Sequence, residues 1–203
     1  MNSRGFTLWF TGLPSSGKTT LSGRISEELR RRNFRVEVMD GDLIRQEICN
    51  MGFTREDRDQ NVKRIGIICR LLSRNDVVAI AAAISPYREA RRYVRDKIDD
   101  FVEVYVKCPV EVCAERDPKG NYKKAFAGEI KNFTGVDDPY EEPENAEIVV
   151  ETDRLTVEEA VAAILRRLEE LGCVEPAAEQ GDGAYTEEEE EIVKKRLEDL
   201  GYI

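Results

Sequence analysis

A three-layer α/β fold, with a mostly parallel five-stranded sheet and helices on both faces, is what this 203-residue chain predicts. Three observations carry it. Five short apolar runs, at 6–10, 35–39, 77–84, 102–106 and 147–150, alternate with helix-patterned stretches, as strand, crossover and strand units do. The run at 77–84 is apolar throughout, which suits a central strand covered on both sides. Between the first run and the first helical pattern, residues 12–19 read GLPSSGKT, a complete G-x-x-x-x-G-K-[ST] loop in the strand, loop, helix setting that phosphate binding requires. The length and the 41% hydrophobic content are enough for one sizeable core.

The elements follow in order. After the first strand, the backbone N–H groups of Ser15, Ser16, Gly17 and Lys18 can point inward at phosphate oxygens, helped by the dipole of the helix expected over 19–31. Gly12 and Gly17 permit the backbone conformations this needs. The nucleotide-binding set is Gly12, Leu13, Pro14, Ser15, Ser16, Gly17, Lys18, Thr19 and Thr20. Lys18 supplies a cation to the β and γ phosphates of ATP, and the Thr19 hydroxyl a ligand to Mg²⁺. The second strand ends at Asp40-Gly41-Asp42, and a helix is expected over 55–73. The third ends at Ser85-Pro86-Tyr87-Arg88, followed by a helix over 89–99. The fourth leads to helices over 110–116 and 122–129, and to a stretch rich in Lys and Gly from Arg116 to Lys124. The last leads to a helix over 156–171, opened by the Thr156 and Glu159 capping pair and stopped by Gly172.

Composition narrows the function classes. Cys49, Cys69, Cys108, Cys113 and Cys173 are odd in number and lack the spacing of a zinc site or a disulfide framework, so they are expected reduced and mostly buried. No signal peptide is read at the start, and no apolar run approaches membrane-spanning length. A cytoplasmic location follows as the expectation. Of the net charge of −10, the segment 175–203 holds ten acidic and three basic residues. The remaining body is near neutral, so neither a nucleic-acid nor a membrane partner is expected. Residues 1–174 are read as the catalytic domain. Residues 175–203 are read as an acidic linker, then a helix over 186–200 with Ile192, Val193, Leu197 and Leu200 on one stripe.

Ligands of such sheets bind beyond the carboxyl ends of the strands, where the acidic pair Asp40 and Asp42 stands. No Asp closes the third strand, unlike motor ATPases and GTPases. An acidic pair after the second strand instead suits a small-molecule kinase whose acceptor pocket faces the phosphate loop. The residues leave two other readings open: a kinase for a different acceptor, such as a nucleoside monophosphate or a sugar acid, and a non-catalytic nucleotide-binding subunit.

Six blocks, in order, resemble the adenylyl-sulfate kinases: GLPSSGKTTL from Gly12, DGDLIR from Asp40, GFTREDRDQNVKRIG from Gly52, ISPYREAR from Ile84, VEVYVKCPVEVCAERDPKGNYKKA from Val102 and GEIKNFTGVDDPYEEP from Gly128. The resemblance implies a P-loop kinase fold with a mobile lid at about 116–134. It implies transfer of the γ-phosphate of MgATP to the 3′-hydroxyl of adenosine 5′-phosphosulfate (adenylyl sulfate). It further implies that Arg45, Arg58 and Asn61 hold the phosphosulfate, that Ile84 and Ser85 contribute from the strand end, and that Phe53 and Phe133 sandwich the adenine. Lys119, Lys123 and Lys124 become candidates for anion contacts from the lid. Phe126 stands where the family usually has Arg, and the segment before Gly52 is slightly short. Asp42 is the candidate to orient or deprotonate the hydroxyl, with Asp40 holding the metal's waters. A phosphoserine route through Ser85 competes with direct transfer, although the chain has no histidine to serve as its base. A homodimer, and association with an ATP sulfurylase, complete these expectations.

Overall fold

Strand β1 (Thr7–Thr11) is buried along its whole length because it lies in the middle of the sheet, whose order is β2-β3-β1-β4-β5. The computed structural model describes residues 4–45 and 52–176. Cys49, most of the acidic linker and the helix expected over 186–200 lie outside the described residues. The other strands are β2 (Val36–Asp40), β3 (Val78–Ala82), β4 (Phe101–Lys107) and β5 (Ile148–Glu151). Every pairing is parallel, with Leu8 opposite Ile80 on one side and Val102 on the other. The helices are α1 (Lys18–Arg31), α2 (Gly41–Ile44), α3 (Arg55–Ser73), α4 (Arg88–Arg95), α5 (Val110–Arg116), α6 (Asn121–Phe126) and α7 (Val157–Glu170).

The period-two alternation of β1 builds two cores. Leu8 and Phe10 pack with Leu21, Ile25 and Leu29 of α1 and Ile164 and Leu168 of α7. Trp9 points the other way, to Ile65 and Cys69 of α3 and Val94 of α4. The sheet is thus closed on both faces, and only its strand ends remain open for chemistry. Helix α3 opens on a Thr54 and Asp57 capping box and α7 on the expected Thr156 and Glu159 box, so both starts are fixed locally.

Several boundaries differ from expectation, among them α6, which runs Asn121–Phe126 and so ends three residues before the expected 129. β3 ends at Ala82 instead of continuing to 84; the Ala83 N–H still donates to the Phe10 carbonyl at 3.2 Å, and the chain then turns at Ser85, which has φ 41°. Helix α4 ends at Arg95, four residues early. Helix α2 was not expected at all. It exists because Asp40 Oδ1 accepts hydrogen bonds from the backbone N–H of Asp42 at 2.8 Å and of Leu43 at 3.3 Å, which turns an apparent turn signal into a helix cap. Cys69, Cys108 and Cys113 are buried and Cys173 half-buried, all four as free thiols. Among the described residues no helix is long and apolar enough to cross a membrane.

Candidate active site

A cleft of about 1170 Å³ opens beyond the carboxyl ends of β1, β2 and β3. On its first side stands the phosphate loop. Gly12 has φ 152°, and a Cβ there would lie 2.4 Å from the Val106 carbonyl oxygen. The loop therefore presses against β4 in a way only glycine allows. Gly17 has φ 102° and caps α1, so the helix begins with its free N–H groups facing the cleft. Lys18 is 9% exposed, and its Nζ donates to the carbonyls of Gly12 at 3.1 Å and Leu13 at 2.6 Å. Burial pushes its ammonium down to about 8, an effect that Asp42 and Asp40 partly oppose. A buried cation so placed stands ready for phosphate oxygens.

Across from Lys18 stands the acidic pair. Thr19 Oγ1 lies 3.4 Å from Asp40 Oδ2. A hydroxyl and a carboxylate oxygen facing each other beside a phosphate loop are the hard donors that Mg²⁺ takes. Asp40 has one oxygen for this, since the other caps α2. The exposed Asp42 pairs with Lys119 Nζ at 3.0 Å, and that bond pushes the Lys119 ammonium up. The contact brings the segment after α5 across the mouth of the cleft. Tyr122 adds a second contact, its hydroxyl donating to the Pro14 carbonyl at 3.2 Å.

The far side gathers the expected acceptor residues. Arg45, Phe53, Arg58, Asn61, Ile84, Ser85, Lys119 and Phe133 all line the same cleft. Phe53 is 61% exposed, with the Arg45 guanidinium 4.6 Å from its ring. Phe133 packs edge-on against Tyr122 at 4.9 Å. Its loop is shaped by Asp137, whose carboxylate accepts from the N–H groups of Asn132 and Phe133. Arg58 is buried and bonded at each nitrogen: Nε to the Phe53 carbonyl at 2.9 Å, Nη1 to Thr134 Oγ1 and Nη2 to the Asn132 carbonyl. It ties the two aromatic segments together. Arg45 differs, since its Nε has no hydrogen-bond partner among the described residues.

Asn61 is 3% exposed. Its Nδ2 donates to the Gly41 carbonyl at 3.3 Å, which fixes the amide orientation, because the oxygen could not face a carbonyl. Oδ1 has no partner among the described residues. Ser85 is 2% exposed, and its Oγ accepts from Trp9 Nε1 at 3.1 Å and donates to Thr11 Oγ1 at 3.0 Å.

Among the expected residues, Gly12, Leu13, Ser16, Lys123 and Lys124 lie outside the lining. The first three form the loop's inner backbone, and Lys123 sits on α6, where its N–H is held by Asp117. Sequence reasoning missed Arg116, Thr152, Leu155 and Val157, which line the cleft beside α1. Arg116 Nη1 donates to Thr152 Oγ1 at 3.1 Å, and that hydroxyl donates to the Ser16 carbonyl at 2.8 Å. The signal available was Thr152, a polar residue directly after the last strand.

Known proteins resemble this arrangement. The sequence profile of the family described as adenylylsulphate kinase matches residues 4–151. The chain is 49% identical over 177 residues to the adenylyl-sulfate kinase of a Picosynechococcus species, covering 87% of this chain and 100% of that protein. It is 54% identical over 171 residues to a probable bifunctional SAT/APS kinase of Sorangium cellulosum, covering 84% of this chain and 29% of that one. The solved structure of the Mycobacterium tuberculosis APS kinase in complex with AMPPNP and APS matches with a TM-score of 0.78 at 37% identity, over 82% of this chain and 98% of that one.

Proposed function

The chain belongs to the adenylylsulphate kinase family, and on that premise we propose how its residues divide the work of moving phosphate from ATP to adenylyl sulfate. It is an ATP-dependent kinase that forms 3′-phosphoadenosine 5′-phosphosulfate and ADP. The observation that carries the division is one cleft with a buried lysine and phosphate loop at one side, two aromatic rings and Arg45 at the other, and Asp42 between them.

Transfer is direct. The 3′-oxygen bonds to the γ phosphorus as the bond from that phosphorus to the β,γ-bridging oxygen breaks, and the hydroxyl proton passes to the Asp42 carboxylate. Lys18 and the loop N–H groups stabilise the charge that spreads over the transferring group. Thr19 and the free oxygen of Asp40 would hold Mg²⁺ on this side of the cleft, where the ion would supply further neutralisation of phosphate charge. Lys119 is bound to Asp42, so it exchanges that partner for an anion as the segment 116–134 closes. Closure excludes water and suppresses ATP hydrolysis.

Donor and acceptor accounting refines the acceptor side. The phosphosulfate of the substrate offers only acceptors, so it needs donors, and Arg45, whose Nη1 donates to the Gly52 carbonyl while its Nε has no partner among the described residues, keeps donors for that part. Arg58, with its nitrogens engaged, supports the aromatic walls instead. Asn61 Oδ1 needs a donor, which in adenylyl sulfate is a hydroxyl or the adenine amine.

Ser85 sits in a buried hydroxyl network and has no carboxylate bonded to it among the described residues, which favours a positioning role. Ser85→Ala is expected to keep at least about a tenth of wild-type kcat, a loss of up to roughly 1.4 kcal/mol. Complete loss, with a trapped phosphoprotein in the wild type, would revive the covalent route. Phe53→Ala should weaken adenylyl sulfate binding by about 1 to 3 kcal/mol while leaving ATP binding little changed. Because Phe53 is exposed, its melting temperature should hold. Calorimetry with both nucleotides checks this, and unchanged adenylyl sulfate affinity would remove the ring from the site.

The same reading takes the protein as a cytoplasmic homodimer, supported by the free thiols and by Ile67 and Leu71, one turn apart on α3 and 56% and 45% exposed. Association with an ATP sulfurylase is supported by the Sorangium protein, whose name joins SAT and APS kinase. The test of the function is ADP release: it should depend on adenylyl sulfate and be absent with AMP.

A further inference from the structure

We propose that Arg91, which does not line the cleft, is a positioning residue that sets the acceptor wall through Ser85 and the strap of residues 132–142; this rests on the acceptor assignment above. Ser85 holds a left-handed backbone, a conformation that a residue with a Cβ keeps only where its surroundings enforce it. The Arg91 guanidinium is what grips that turn. Its Nη1 donates to the Ser85 carbonyl at 2.6 Å and its Nη2 to the Glu141 carbonyl at 2.6 Å. The Glu141 N–H in turn donates to the Pro86 carbonyl at 2.8 Å. One planar fork therefore fastens the end of β3 to the strap.

The strap reaches the site at both ends. At one end Tyr140 Oη lies 2.9 Å from Thr11 Oγ1, the residue before the phosphate loop, and Tyr140 stacks on Tyr105. At the other are Phe133 and Thr134, which line the cleft with Ser85 and Pro86. Between them Asp138 accepts from the Tyr87 hydroxyl at 2.9 Å and pairs with Arg58 at 3.7 Å. Releasing the fork would thus loosen Ser85 and the Phe133 wall together. The phosphate loop, held by its own bonds and by α1, would stay as it is.

Arg91 is paired as well as bonded. Its Nε lies 2.9 Å from Glu103 Oε1, with side chains 4% and 8% exposed. Glu103 also pairs with Arg95. The carboxylate neutralises the cation, whereas the two carbonyl bonds do the positioning. A lysine could keep the charge but not span both carbonyls, because it lacks the fork.

This separates a positioning role from a merely structural one. Arg91→Lys and Glu103→Gln both weaken the buried pair, so both should melt earlier. Only Arg91→Lys removes the fork. It should raise KM for adenylyl sulfate roughly ten-fold or more, with KM for ATP within about two-fold of wild type. Glu103→Gln should leave both KM values within about two-fold. If Arg91→Lys fails to fold, the double variant Arg91→Met with Glu103→Met replaces the pair by apolar side chains, a change that buried ion pairs often tolerate. It should show the same selective rise. Unchanged acceptor KM in the folded Arg91 variant, equal rises for both substrates, or an equal rise in Glu103→Gln would overturn the proposal alone. A wild type without turnover dependent on adenylyl sulfate would overturn the acceptor reading and the proposal with it.

Discussion

Lys18→Met is expected to lower kcat by roughly a thousand-fold or more and, at pH 7, to raise the melting temperature. The two effects share one cause. A lysine buried beside the phosphate loop gives most to the charge of the transition state, and burial is also what depresses its pKa to about 8 from 10.5. Below pH 8 the folded state carries that cation at full cost. Between about 8 and 10.5 the unfolded chain binds more protons than the folded one, so wild-type stability rises with pH across this window relative to the variant. At pH 7 the gain on substitution is up to about 3 kcal/mol; it should vanish above pH 10.5. Thermal melts of both proteins at pH 7 and pH 10 check the stability half. Turnover within a few-fold of wild type would remove Lys18 from the mechanism. A less stable variant at pH 7 would mean that its bonds to Gly12 and Leu13 outweigh the burial cost.

Asp42→Asn should reduce kcat by about a hundred- to ten-thousand-fold, with KM for either nucleotide within a few-fold of wild type. The amide fills the same space but cannot take the proton. Stability should hold, because the Asp42 and Lys119 pair is exposed at 63% and 69%, and exposed pairs contribute little. Steady-state kinetics in both substrates decides the matter. If the loss falls mainly on ATP affinity, Asp42 serves the metal or the fold instead.

The sheet was legible because its strands are apolar runs between helical patterns. The all-apolar run at 77–84 located the central region, and the phosphate loop announced itself by spacing alone. What stayed hidden has physical reasons. Helix α2 has four residues, too few for any periodicity, and only the caught N–H groups of Asp42 and Leu43 reveal it. The left-handed turn at Ser85 was invisible because serine gives no conformational signal of the kind glycine does. Arg58 could be assigned a chemistry from its type but not its partners, and its bonds to Asn132 and Thr134 span more than seventy residues of sequence. Thr152 and Leu155 carry no charge and lie far from the loop they complete. Side-chain chemistry reads well from sequence; which group spends its hydrogen bonds on the protein and which keeps them for a ligand does not.

Direct transfer from ATP to the 3′-hydroxyl leaves its mark in the stereochemistry at phosphorus. With ATP made chiral at the γ-phosphate by oxygen isotopes, and adenylyl sulfate as acceptor, one in-line displacement inverts the configuration of the phosphoryl group in the product. Lys18, Asp42 and the buried, base-free Ser85 predict inversion. Retention would require two displacements through a phosphoenzyme, and it would contradict both the direct route and the positioning role given to Ser85.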